Sequence, residues 1–160
     1  MTMRARRGFS LIELLAVLAI LAVLAWAMLP LAEMSRERER ERELRHALWE
    51  IRDAIDAYKK VADASVPPSA PRAAGVTGYP PTLAALVQGL PDPRAGGRTV
   101  YFLRRVPRDP FAPEALPAEQ TWGLRSFASP ADAPAAGADV YDVYSRAEGK
   151  GLDGVPLRQW

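Results

Sequence analysis

The chain of 160 residues has no cysteine, which excludes disulfides, zinc–thiolate sites and a cysteine nucleophile. Compartment is left open by that absence, because oxidising compartments permit disulfides without requiring them. Histidine occurs once, as His46, inside a stretch with helical periodicity, so a Ser-His-Asp triad would have no candidate partners nearby. Neither the P-loop nor the dinucleotide glycine pattern is present. With no catalytic constellation left, the sequence reads as that of a protein that is not an enzyme. An excess of one charge sign is missing too. Lys+Arg number 21 against 19 Asp+Glu, but Arg4, Arg6 and Arg7 lie in the first eight residues, so the rest of the chain carries 18 against 19, a net −1. Nucleic acid is therefore not expected as a partner on charge grounds.

What the sequence does have is one long apolar run. From Leu14 to Ala32 there are nineteen residues without a charge, close to the roughly 20 that a helix rising about 1.5 Å per residue needs to cross a bilayer core. A secretory signal would have a shorter run, of about 7 to 15 residues, followed by a small-residue cleavage site. Here the small residue, Gly8, precedes the run, so a cut at Gly8 leaves the helix on the mature chain. Arginines before the run orient it with the N-terminus inside and the domain outside. Pro30 removes one helix hydrogen bond and is tolerated in membrane spans. Glu13 is costly in apolar surroundings, about 2.5 to 3.5 kcal/mol at a bilayer centre. It reads either as a carboxylate snorkelling at the interface or as one paired with a cation from a neighbouring subunit.

The helix continues from Ser35 to Ser65. Arg36 to Glu43 alternates strictly in sign, giving opposite charges at i,i+3 and like charges at i,i+4, so local pairing contributes little. This is a solvated surface, which can also complement neighbouring helices. Leu44, Leu48, Ile51, Ile55 and Tyr58 then form one apolar stripe that needs a partner. Trp49 and His46 flank it as packing or surface residues. Pro67, Pro68, Pro71, Gly75, Gly78, Pro80 and Pro81 mark a loop. A short helix follows, with Thr82 as N-cap, Leu83, Leu86 and Val87 as its apolar face and Gly89 as its stop. Strands are expected over 99–106, 121–127 and 139–145, enough for a small sheet that a helix can cover. The expected divisions are a leader, 1–8; a long helix, 9–65, transmembrane over 9–32 and amphipathic over 33–65; and one globular α+β domain, 66–160.

Arg7-Gly8-Phe9-Ser10-Leu11-Ile12-Glu13-Leu14 resembles the prepilin-peptidase motif of type IV pilins and type II secretion pseudopilins. The resemblance implies a cut after Gly8 on the cytoplasmic side, N-methylation of Phe9, and a Glu13 that faces the N-terminal amine of an adjacent subunit during assembly. Tyr79-Pro80-Pro81-Thr82-Leu83 and Tyr101-Phe102-Leu103 through Pro107-Arg108-Asp109-Pro110-Phe111 look like segments of the major, G-type pseudopilin. That family implies a long N-terminal helix packed on a three-stranded antiparallel sheet.

Between Asp142 and Gly154, oxygen-bearing side chains stand among glycines, as a hard cation such as calcium requires; a plain glycine-rich turn explains the same composition. Major pseudopilins carry a calcium loop here. On that resemblance Asp142 and Glu148 would be side-chain ligands, Ser145 would offer its carbonyl, and Asp153 would be an extra carboxylate. Arg98, Arg104, Arg105 and Arg108 form the one basic cluster, beside Asp92, Asp109 and Glu114. The implied function is a pseudopilin of type II secretion, anchored in the inner membrane and then polymerised in the periplasm. Its partners would be further copies, other pseudopilins, the secretion platform and the prepilin peptidase. The alternatives are a minor type IV pilin for DNA uptake or surface contact, and a simple single-pass anchor.

Overall fold

A computed structural model describes residues 10–66 and 76–160, with residues 27–32 described by their backbone alone. The chain divides into two units, Met1–Glu39 and Arg40–Trp160. One helix, α1 (Leu11–Ala64), passes through both. In the first unit, Leu11, Ile12, Leu14, Leu15, Val17, Leu18, Ile20, Leu21, Val23, Leu24 and Trp26 are all exposed. A helix apolar all round is one that buries itself in a larger core or in lipid. Among the described residues no helix is long and apolar enough to cross a membrane. Of the expected span 9–32, residue 9 and the side chains of 27–32 lie outside the description.

In the second unit the stripe finds its partner. Leu44, Leu48, Ile51 and Ile55 are buried, as are Ala47 and Ala54 between them, and they share one core with Leu83, Leu86, Leu103, Val106, Trp122, Val140, Val143 and Leu157. Tyr58 continues the stripe, its ring centroid 5.3 Å from that of Phe102. Burial raises the Tyr58 hydroxyl above its ordinary pKa.

The short helix α2 (Leu83–Gln88) turns Leu83 and Leu86 inward. Thr82 holds the N-cap position in extended backbone without a side-chain bond, and Gly89 ends the helix by donating its N–H to Ala85 O. Gly89 sits at φ +80°, and a Cβ there would lie 2.5 Å from Val100 O, so both backbone and space require glycine.

The α+β arrangement holds, a helix packed on small antiparallel sheets, but the single three-stranded sheet does not. Among the described residues there are two separate two-stranded ladders. β1 (Leu90–Asp92) pairs with β2 (Arg98–Val100), and β3 (Trp122–Arg125) pairs with β4 (Asp142–Ser145), in register Trp122 to Ser145 and Arg125 to Asp142. The expected strand 99–106 stops at Val100 because the N–H groups of Phe102 and Leu103 both donate to Leu86 O, at 3.0 Å each. Donors spent on the end of α2 cannot extend a ladder. Leu90–Asp92, with Pro91 inside it, pairs as a strand in a two-stranded ribbon, where a missing N–H can face outward.

Candidate functional site

At the N-terminal end, Glu13 lies in the first turn of α1, exposed among exposed Leu11, Ile12, Leu14 and Leu15. Gly8 and Phe9, the expected processing residues, lie outside the described residues, as do Arg4, Arg6 and Arg7. The described surface around Glu13 offers it no cation.

In the second unit, three of the four residues expected to hold calcium are held by different neighbours. Asp142, at the start of β4, is clamped between two guanidiniums: Arg52 Nε donates to its Oδ1 at 2.8 Å, and an Arg125 terminal nitrogen donates to its Oδ2 at 3.3 Å. Arg52 donates further, to the carbonyls of Val143 at 3.1 Å and Trp160 at 2.8 Å, which ties α1 to β4 and to the last turn of the chain. Ser145 is fully buried, and its hydroxyl donates to Asp109 Oδ2 at 2.6 Å. Asp153 pairs with Arg45 at 3.2 Å and accepts the Val155 N–H at 3.0 Å. Glu148 is exposed. The glycine carbonyls are spent as well, Gly149 O on Leu157 N–H at 3.1 Å and Gly151 O on Gly154 N–H at 2.8 Å. No group of three or more His, Asp or Glu side chains able to hold a metal occurs among the described residues. The donor set as placed does not fit a calcium cage, which needs six to eight oxygens converging at about 2.3 to 2.6 Å.

Two residues that organise this end were not singled out from sequence. Asp109 is wholly buried; besides the Ser145 hydroxyl its carboxylate accepts the Phe111 N–H at 2.8 Å, while its own N–H donates to Thr121 Oγ1 at 3.2 Å. The i to i+2 bond is an Asx turn, which Asp109-Pro110-Phe111 signals in sequence; its link to Ser145 does not show there. Arg52 gives no local signal, since its partner Asp142 lies ninety residues away.

The expected basic cluster splits. Arg98 Nε donates to Ala95 O at 3.2 Å, and Arg108 is folded onto the carbonyls of Pro113 and Leu116. Arg104 and Arg105 are exposed.

Against known families, residues 3–29 match the model of the prokaryotic N-terminal methylation motif. That match covers Gly8, Phe9 and Glu13 together, and it supports a type IV pilin-like family and a precursor that prepilin peptidase processes. No curated protein and no solved structure matches the chain.

Proposed function

We propose that this chain, bearing an N-terminal methylation motif directly ahead of an exposed apolar helix, is a pseudopilin of a type II secretion system. In this reading prepilin peptidase removes residues 1–8, Phe9 becomes the N-methylated first residue, and the subunit waits in the inner membrane with its domain in the periplasm. Copies then polymerise through α1 into a pseudopilus. The subunit is a substrate of modifying enzymes and not itself an enzyme.

The observation that carries the reading is the junction itself. The processing motif matched over residues 3–29 takes in eleven large apolar side chains, all exposed between Leu11 and Trp26. Apolar area of that extent is stable only under cover, at about 25 cal/mol per Å², and lipid before assembly and neighbouring helices after it supply that cover in turn. Arg4, Arg6 and Arg7 ahead of the run support an N-in orientation. A pseudopilin is preferred to a minor pilin on the resemblance of Tyr79-Pro80-Pro81-Thr82-Leu83 and of Tyr101 through Phe111 to segments of the major pseudopilin.

The test is the intact mass of the chain recovered from membranes of cells with an active prepilin peptidase. The expected species lacks residues 1–8 and carries one added methyl group, and Gly8→Val prevents both changes. Full-length, unmethylated wild-type protein in those cells would end the proposal.

A further inference from the structure

β3 is paired along one side. In an antiparallel ladder successive residues turn their N–H and C=O groups to opposite sides, and the bonds around β3 show which of its residues turn outward. On the β4 side Arg125 O accepts the Tyr141 N–H at 2.8 Å, whereas Ser126 turns the other way and donates to Ala135 O at 2.9 Å. Across from Leu124, Val143 donates its N–H to Asp142 Oδ1 at 2.8 Å and takes the Arg52 guanidinium on its carbonyl at 3.1 Å. Leu124, and Trp122 two residues before it, therefore turn their main-chain groups to the open edge. Among the described residues neither makes a backbone bond on that side.

Along this edge lies a cavity of about 770 Å³, with Ala112, Leu116, Leu124, Ala136, Tyr144 and Arg146 in its walls. Tyr144 stands opposite Gly123 in the ladder, and a Cβ on Gly123 would run into its ring. The ring thus lies across β3 toward the cavity, a close approach that a glycine in the strand permits. A second cavity, of about 570 Å³, shares Tyr144, Arg146 and Ala147 with the first. Leu157 N–H donates to Gly149 O and Lys150 bridges to Pro156, which folds the chain back and brings Arg158 to the wall that carries Arg146 and Lys150. All three cations are exposed, and among the described residues none has an ion-pair partner. Glu148 is the carboxylate beside them, and Glu119 lines the first cavity.

We propose that the open edge of β3 receives an extended peptide as an added antiparallel strand, with acidic residues at the peptide's C-terminal end. Main-chain bonds to Leu124 and Trp122 hold it, the mode by which an exposed sheet edge takes up a strand from a partner. Its direction follows from where the charges lie. Arg146 follows Ser145, the ladder partner of Trp122, while Ala136 follows the Ala135 that bonds Ser126. A strand antiparallel to β3 enters at Ala136 and leaves toward Arg146, Lys150 and Arg158, where its carboxylates meet positive charge. At about 3.3 Å per residue, roughly four residues span β3 and two more reach the cations. A basic C-terminus would be repelled there, and a proline opposite Leu124 would have no N–H to donate. The site lies within one subunit and holds whether or not subunits assemble.

The probe is a fluorescein-labelled hexapeptide, Thr-Val-Thr-Val-Asp-Glu with a free carboxyl terminus, titrated with the full-length chain in nonionic detergent and read by fluorescence anisotropy. Two companions separate ladder from charge. Pro-Pro-Pro-Pro-Asp-Glu keeps the carboxylates and removes the main-chain donors, and Thr-Val-Thr-Val-Lys-Lys keeps the donors and reverses the charge. Each should bind at least about tenfold more weakly than the first, some 1.4 kcal/mol. Lys150→Glu with Arg158→Glu should weaken the acidic peptide by about tenfold and strengthen the lysine peptide. Ala136→Trp, at an exposed position, should block the acidic peptide while the thermal unfolding of the chain stays where it was. Equal affinity for the proline peptide would mean charge attraction without an added strand and overturns the proposal. So does the absence of saturable binding by the first peptide at millimolar concentration, and neither result touches the processing test above.

Discussion

From Leu11 to Trp26 α1 is apolar on every side and buries none of it; from Leu44 to Ile55 the same helix is apolar along one stripe and buries all of it. The difference separates two uses of hydrophobicity. A stripe can be satisfied by the chain itself, because a small domain folds over one face and leaves the other to water. Apolar surface on every side exceeds what the chain's own described residues cover, and it is this surface that the proposed filament would bury.

That contrast is sharpest at Glu13. If the first region serves assembly, Glu13→Leu should enter the membrane at least as well as wild type, since a costly carboxylate is gone. In the filament it would leave the amine of Phe9 on a neighbour unpaired. Breaking a buried pair costs roughly 3 to 5 kcal/mol, a loss of a few hundredfold or more in assembly. Filament yield should collapse while the thermal unfolding of the domain stays where it was. A Glu13→Leu chain that assembles normally would make the carboxylate an interfacial accident.

The mirror-image experiment is in the stripe. Ile51 is fully buried, and Ile51→Ala should cost the domain about 2 to 5 kcal/mol by lost burial and the cavity left behind. Leu18→Ala removes the same kind of side chain from an exposed position and should change domain unfolding by less than about 0.5 kcal/mol. Equal effects in denaturant titration would erase the distinction between the two regions.

Asp109 comes next. Asp109→Ala strands the Ser145 hydroxyl and the Phe111 N–H in a buried site, at a cost of about 2 to 3 kcal/mol. Asp109→Asn keeps an acceptor for one of them and should lose about half as much. Urea unfolding that leaves both variants at the wild-type midpoint would show that the clip between the 109–111 turn and β4 contributes nothing.

How legible each of these was depends on how far apart in sequence the partners lie. The stripe, α2 and the stop at Gly89 follow from spacings of three and four and from one glycine, all local. The motif at Gly8, Phe9 and Glu13 is local as well, and the family match falls on it. The three-stranded sheet failed on a non-local competition. Tyr101-Phe102-Leu103 has strand composition, yet its donors go to Leu86 O at the end of α2, which residue types do not announce. The C-terminal loop shows the same limit: its oxygens can be counted in sequence, but the arginines that pair with Asp142 and Asp153 come from α1 and β3. Charge complementarity across ninety residues has no sequence period to reveal it.

The smallest expected effect is that of calcium on the Asp142–Asp153 loop. A cation bound only by the folded state at one hundred times its dissociation constant would add about 2.7 kcal/mol, which raises the melting temperature of a domain this size by roughly 10 °C. The loop is already closed by other means: Asp142 by Arg52 and Arg125, Asp153 by Arg45, and the Gly149 and Gly151 carbonyls by N–H groups of the same turn. Melting should therefore be indifferent to millimolar calcium and to chelator. Asp142→Ala should lower stability by only about 1 kcal/mol, since its arginine pairs are partly exposed. Arg52→Gln separates the two possibilities further. Freeing Asp142 from one guanidinium removes part of the local positive charge that would compete with a cation, yet Arg125 and the hydrogen-bonded glycine carbonyls stay in place, so calcium should still produce no shift. A melting temperature that rises with calcium in either chain would mean that the loop reorganises around a cation and that the arginine clamp is its metal-free substitute.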